Sequence, residues 1–178
     1  DENAEEGLCE DFKEHFLLGT IYHGKVLGND RANGHLAEEL AITQKEFNAI
    51  TPENCMKFSF LQPEEGVFTF DEADAFVDEA TRMGRTIVGH TLVWKNDAPE
   101  WVFKDAAGNP ADREVVIDRM VNHIKAVVSR YKGKIEFWDV VNEAVDMLPT
   151  EEGVYEPCYK STPWFDAIGP EYIEIAFR

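Results

Sequence analysis

The 178-residue chain is 44% hydrophobic and 12% aromatic, a globular composition with enough apolar matter for one sizeable core. Its 35 Asp and Glu against 17 Lys and Arg give a formal charge of −18 with no basic patch, which excludes nucleic acid and anionic membrane surfaces as partners and favours a neutral one. No run of about 18 apolar residues occurs, so nothing in the sequence reads as a membrane span.

The stretch from Asp1 to Asp11 is acidic and reads as a mature terminus, not a signal peptide, and residues 1–15 are expected to form an N-terminal extension. Phe16 to Ile21 then predicts a first strand, and Phe47 to Thr51 a second. Ala73, Phe76, Val77, Ala80 and Met83 fall on one helical stripe, which Gly84 ends. Thr86 to Val93 predicts a third strand. A longer stripe follows through Ile117, Met120, Val121, Ile124, Val127, Val128 and Tyr131, opened near Asp112 and closed before Gly133. Ile135 to Val141 predicts a fourth strand. The last three strands are mostly apolar without clean alternation, as expected of parallel strands covered on both faces. Pro170, in a favoured first-turn position, opens a helix through Tyr172, Ile173, Ala176 and Phe177. Three cysteines (Cys9, Cys55, Cys158) are widely spaced, leave room for one disulfide at most, and read as ordinary thiols.

Strand and helix alternate, which predicts a parallel α/β sheet. A doubly wound nucleotide fold requires a G-x-G-x-x-G turn after its first strand, and Gly19, Gly24 and Gly28 lack that spacing. No G-x-x-x-x-G-K-[ST] occurs either. A β/α barrel puts its chemistry at the C-terminal ends of its strands, where the unusual residues of this chain sit, so the barrel is favoured.

After the second strand, Thr51-Pro-Glu-Asn-Cys-Met-Lys57 offers an acceptor in Glu53, an amide in Asn54 and a cation in Lys57. The cluster suits a grip on several hydroxyls of one neutral ligand; a solvated loop capped by its Asn is the bland alternative. The third strand ends in Gly89-His-Thr-Leu-Val-Trp94. His90 with Trp94 and Trp101 suggests an aromatic wall over a polar floor, which suits sugar rings, against the alternative of a satisfied core histidine. The fourth strand runs into Trp138-Asp-Val-Val-Asn-Glu-Ala144. A carboxylate leaving an apolar strand is costly unless paired or poised for chemistry, which singles out Glu143. Asn142 is suited to hydrogen-bond a sugar 2-hydroxyl beside it, and Asp139 is expected to be structural. The histidines, including His23 and His35, show no H-x-x-x-H pairing, and neither metal nor cofactor is expected.

These three motifs, in order and at these intervals, closely resemble the family 10 glycoside hydrolases, the β-1,4-xylanases. Arg130-Tyr-Lys-Gly133, Pro99-Glu-Trp101 and Ile168-Gly-Pro-Glu-Tyr-Ile173 extend the resemblance over about Phe16 to Arg178. Asn-Glu-Ala, in place of the Asn-Glu-Pro of many cellulases, also points to xylanases. The resemblance implies a TIM (β/α)8 barrel of which residues 16–178 supply about the first four βα units, the N-terminal half. It implies Glu143 as general acid/base of a retaining endo-1,4-β-xylanase, with Glu53, Asn54, Lys57, His90, Trp94 and Asn142 as substrate-binding residues and no cofactor. The nucleophile, a Glu on the seventh strand, would lie outside this chain; Glu136, Glu151 and Glu152 are not drafted into that role.

The implied partners are xylan and xylo-oligosaccharides, together with the C-terminal half of the barrel as further sequence or a second chain; without that half the fragment is expected to be inactive. The implied location is secreted or cell-surface. The chain departs from the family pattern at three positions, of which Asp97, unable to donate the amide hydrogen bond of a Gln, bears on the glycone side. Lys95 and Asp97 stand where a His and a Gln are usual, and Ser59 where an acid is common. The rivals are a β-glucanase on the same barrel and a catalytically silent carbohydrate-binding fragment.

Overall fold

A computed structural model describes residues 7–23 and 36–178. Gly24, Gly28 and His35, like Asp1 to Glu6, lie outside the described residues. Four strands, β1 (Gly19–Tyr22), β2 (Ala49–Pro52), β3 (Thr86–Trp94) and β4 (Phe137–Asn142), form one sheet in the order β1-β2-β3-β4. Sequential order with helical crossovers is the arrangement of a singly wound β/α sheet. The register is parallel, with Gly19 opposite Ala49 and Tyr22 opposite Pro52, then Ala49 opposite Thr86 and Ile50 opposite Ile87.

The helices are α1 (Leu8–Asp11), α2 (Leu36–Glu46), α3 (Phe58–Leu61), α4 (Asp71–Arg82), α5 (Arg113–Arg130), α6 (Pro163–Ile168) and α7 (Tyr172–Phe177). A 3-10 turn covers Glu100–Phe103, and β5 (Val145–Pro149) pairs antiparallel with β6 (Tyr155–Tyr159). The chain divides into two units. The first holds residues 1–56, 69–90 and 131–138, and the second residues 57–68, 91–130 and 139–178.

In the first unit, α4 buries its expected stripe, with Ala73, Phe76, Val77 and Ala80 all essentially inaccessible. Gly84, at φ +64, ends it in a left-handed conformation that a Cβ would strain. The α1 helix buries Cys9, whose thiol donates to the Lys45 carbonyl at 3.3 Å. In the second unit, Thr162 caps α6 by accepting from Phe165 N at 3.0 Å, with Pro163 in the first turn. Arg119 ties that unit together. It is bidentate to Glu65 at 2.8 Å on both arms and donates to the carbonyls of Val102 and Lys104. The guanidinium holds the Glu65 carboxyl below its ordinary value.

Several expectations are corrected. The first strand begins at Gly19, not Phe16, because Asn48 Oδ1 takes the Leu18 N–H at 2.7 Å before the ladder starts. The fourth begins at Phe137, since Ile135 N is still bonded to the Tyr131 carbonyl of the preceding turn. It is not covered on both faces either, its residues being exposed or half-buried. On α5 Met120 and Val127 of the expected stripe are buried, as is Tyr131 just past the helix, but Val116 and His123 join them, Ile117, Val121 and Ile124 are half-buried, and Val128 is exposed. The last helix begins at Tyr172, after Pro170. The three cysteines, by contrast, are free thiols as their spacing led one to expect.

Candidate active site

In the first unit, the ends of β1 and β2 bring two side chains together. His23, one residue past β1, has its Nε2 on Glu53 and its Nδ1 3.1 Å from Glu39 Oε1, so its ring is bracketed by two carboxylates. Glu53, one residue past β2, is thereby oriented while its side chain stays 35% exposed, and Asn54 beside it is half-buried. Between them and the next helix the chain is pinned by Cys55 and Met56, 4% and 0% exposed. Burial, with the Glu72 carboxylate adding to it, pushes the Cys55 thiol up to about 12, which removes it as a nucleophile. His90, half-buried, follows Gly89 on β3. A Cβ on Gly89 would meet the Trp138 ring at 2.3 Å, so glycine there lets the indole lie against the strand.

In the second unit, Lys57 precedes α3 in an extended conformation and sets its ammonium 5.1 Å from the centroid of Trp94, the last residue of β3. This is a cation over an aromatic face. The Trp94 carbonyl accepts from Trp164 Nε1 at 3.1 Å, which fixes the end of the strand. Phe58, next to Lys57, is stacked on the buried His123 ring at 3.5 Å between centroids and 9° between planes. Burial lowers the His123 imidazole to about 3, so it stays neutral, with Gln62 Oε1 3.0 Å from its Nδ1. His123 belongs to the support of the site. Trp101 does too. It packs edge-on against Phe58 and under Arg119, so the expected aromatic wall does not include it.

Asn142 ends β4, half-buried, and Glu143 follows, exposed. Glu143 has φ +54, the one left-handed non-glycine residue among those described. That conformation costs an L-residue about 1–2 kcal/mol, and such strain concentrates where a side chain must point in a required direction. Asp139, exposed, gives its carbonyl to Thr91 Oγ1 at 2.7 Å. Asp97 and Ser59, two of the departures from the family pattern, touch each other. Ser59 Oγ donates to Asp97 Oδ1 at 2.7 Å and Ser59 N to the Asp97 carbonyl at 3.2 Å.

The structure thus groups Glu53, Asn54 and His90 in one unit and Lys57, Trp94, Asn142 and Glu143 in the other, with each residue at or just past the C-terminal end of a strand except His90, midway along β3, and Lys57, five residues beyond β2. It directly pairs Glu53 with His23 and Lys57 with Trp94. In the sequence His23 stands out only as one of the histidines without metal-ligand spacing. Its position one residue past a strand is the signal that would have found it.

The family model for glycosyl hydrolase family 10 matches residues 8–178. An endo-1,4-beta-xylanase A of Caldicellulosiruptor sp. (strain Rt8B.4) is 39% identical over 96% of this chain and 24% of its own length. One from Xylanibacter ruminicola is 42% identical over 92% of this chain and 41% of its own. The crystal structure of an endo-1,4-beta-xylanase from Caldicellulosiruptor owensensis superimposes with a TM-score of 0.81 at 38% identity, covering 97% of this chain and 48% of that one. The chain therefore spans less than half the length of these relatives. Its four-stranded parallel sheet is the first four βα units of their TIM barrel. With motifs, fold and family model in agreement, the chain belongs to glycosyl hydrolase family 10.

Proposed function

We propose that these residues form the N-terminal half of a secreted or cell-surface endo-1,4-β-xylanase that hydrolyses internal β-1,4-xylosidic bonds of xylan with retention of configuration. The observation that carries the reading is Glu143, exposed and held in a left-handed conformation directly after Asn142 at the end of β4. In the first step, a Glu from the remaining half of the barrel attacks the anomeric carbon. The bond to the leaving sugar breaks, and the Glu143 proton goes to the departing oxygen. In the second step, Glu143, now a carboxylate, takes a proton from water as that water attacks the anomeric carbon and releases the nucleophile. The two carboxyl groups would stand about 5–5.5 Å apart, the separation of a retaining pair.

Asn142 would hold the 2-hydroxyl of the reacting sugar. Glu53, Asn54 and Lys57 would grip the glycone sugars, with His90 and Trp94 at the reacting ring. His23 strengthens the reading of Glu53, because its imidazole orients a carboxylate that stays partly exposed at the end of β2. No metal or cofactor enters these steps.

In the complete enzyme, Glu143→Ala is expected to lose xylan hydrolysis yet still release good leaving groups in the first step. Added azide should restore turnover and yield a β-xylosyl azide. Full xylanase activity in that variant would sink the assignment, and product profiles on xylan, cellulose and mixed-linkage glucan separate a xylanase from a β-glucanase. The 178 residues alone should bind xylo-oligosaccharides without cleaving them.

A further inference from the structure

The β1–β2 ladder ends with Tyr22 opposite Pro52. In a parallel pair kept in register, the next residues on the two strands also stand side by side, about 4.8 Å apart. Those residues are His23 and Glu53, which accounts for their contact. Tyr22, 1% exposed and tilted against Phe76 at 6.2 Å between ring centroids, anchors the end of β1. The α2 helix supplies a third group, Glu39. Its Oε1 lies 3.0 Å from the His23 backbone N and 3.1 Å from the ring Nδ1.

Two carboxylates around one imidazole fix how many protons the group must hold. Glu39 Oε1 accepts from the His23 backbone N–H, so the ring nitrogen aimed at the same oxygen has to be a second donor. With hydrogen on Nδ1, a neutral imidazole keeps only a lone pair at Nε2, and that lone pair would face Glu53 Oε2, another acceptor. The contact at Nε2 therefore holds only while one further proton lies in it. The side chains of His23 and Glu53 are each 35% exposed and that of Glu39 30%, so water reaches the group and the proton exchanges with solvent. Exposure also keeps the ion pair weak enough to open without unfolding the strand end. Further out, Glu79 and Arg82 on α4 act on the neighbouring Tyr22 hydroxyl.

We propose that His23 is a positioning residue that holds Glu53 through a single exchangeable proton, so that the grip on sugars beyond the reacting ring weakens as the pH rises and that proton leaves. The proposal deepens the reading of Glu53 as a glycone contact and rests on it. With the proton in place, Glu53 is kept in one rotamer and its remaining lone pairs accept from sugar hydroxyls. Once the proton passes to water, a lone pair and a carboxylate confront each other and the contact breaks. Glu53 then samples its other rotamers, and each sugar that binds has to order it again. Ordering one such side chain is worth about twofold to tenfold in binding.

The test uses the complete enzyme and two substrates. Nitrophenyl β-xylobioside carries a sugar beyond the reacting ring; nitrophenyl β-xyloside carries none. Both undergo the same chemistry, so the ratio of their kcat/KM values cancels the titration of the acid/base and reports the glycone grip. In the wild type that ratio should fall about twofold to tenfold between about pH 5 and 9. In His23→Ala it should be low and flat. His23→Gln, which can donate to Glu53 at any pH, should restore most of the ratio and keep it flat. In a Glu53→Ala background, adding His23→Ala should lower the ratio no further, because the histidine acts through the carboxylate. Glu39→Gln, a change on α2 that touches neither strand, should move the fall to lower pH by removing a charge that helps hold the proton. A pH-independent ratio in the wild type, or a further loss in the double variant, overturns the proposal. Should the His23 variants fail to fold, the wild-type and Glu39→Gln profiles decide it. An unchanged ratio in Glu53→Ala defeats the glycone reading together with the clamp, whereas a lowered ratio there with a flat wild-type profile defeats the clamp alone.

Discussion

After β2 the chain alternates between presented and pinned residues. Cys55, Met56 and Phe58 are 4%, 0% and 2% exposed, and Glu53, Asn54 and Lys57 project from the strip they anchor. After β4 no such anchors exist. Glu143 is exposed, Val145 and Met147 after it are exposed, and what aims the carboxylate is a left-handed backbone followed by the β5–β6 ladder. Side-chain burial holds the first segment, backbone geometry the second. The difference suits the proposed chemistry: groups that grip a ligand gain from a stiff floor, while a group that gives and takes a proton must meet both substrate and water.

If that contrast is right, the largest loss of stability should come from the pinned segment. Phe58→Ala removes a ring stacked on His123 and packed near Trp101 and Trp164, and should cost about 3–5 kcal/mol by denaturant unfolding of the complete protein. A cost below about 1 kcal/mol would mean the floor is not where the segment is held.

The same floor has an acid limit. The folded His123 imidazole is held near 3 against 6.5 when exposed, so between those values the unfolded chain binds more protons. Stability should therefore fall as the pH drops through that window, by up to about 1.4 kcal/mol per unit. Urea midpoints measured from pH 7 to 4 should show a shallower acid limb in His123→Gln, and coincident limbs would remove this account.

The smallest effect tests the other segment. Glu143→Gly and Glu143→Ala should both abolish xylan hydrolysis, but the glycine variant should be the more stable by about 1 kcal/mol, since only the alanine keeps the left-handed strain. Equal stability would show that the backbone there is not strained.

Elements with a single dominant period were legible. The α4 stripe and the β3 run were read within a residue or two at each end, because one face or one buried strand decides them. The β1 start was not, since Phe16 and Leu17 are apolar yet 53% and 48% exposed, and composition does not say where a ladder begins. Nothing marked α2, whose Ile42 faces solvent at 56%. The β5–β6 ribbon stayed hidden because Pro149 and Pro157 argue against strands unless they lie in an edge ladder, which only the pairing reveals. In the site, Glu143 was singled out by a carboxylate after an apolar strand, a local signal. The His23–Glu53 contact joins residues 30 positions apart in sequence, and its one local trace is that each stands just past a strand.

The Ser59–Asp97 contact ties two positions of the chain into one unit of hydrogen bonding. Both positions differ from the residues usual in the family, and they differ together, a short hydroxyl donor against a carboxylate acceptor. Asp97 Oδ2 is buried with no hydrogen-bond partner among the described residues, so the Ser59 hydroxyl is what its carboxylate relies on in that setting. An acid at Ser59 alone would set two acids side by side, and an apolar residue at Asp97 alone would remove the acceptor of the Ser59 hydroxyl. The two sites are therefore expected to be epistatic. Grafting the usual Gln onto Asp97 alone would then report the mismatch with Ser59 more than the preference of the site for its sugar.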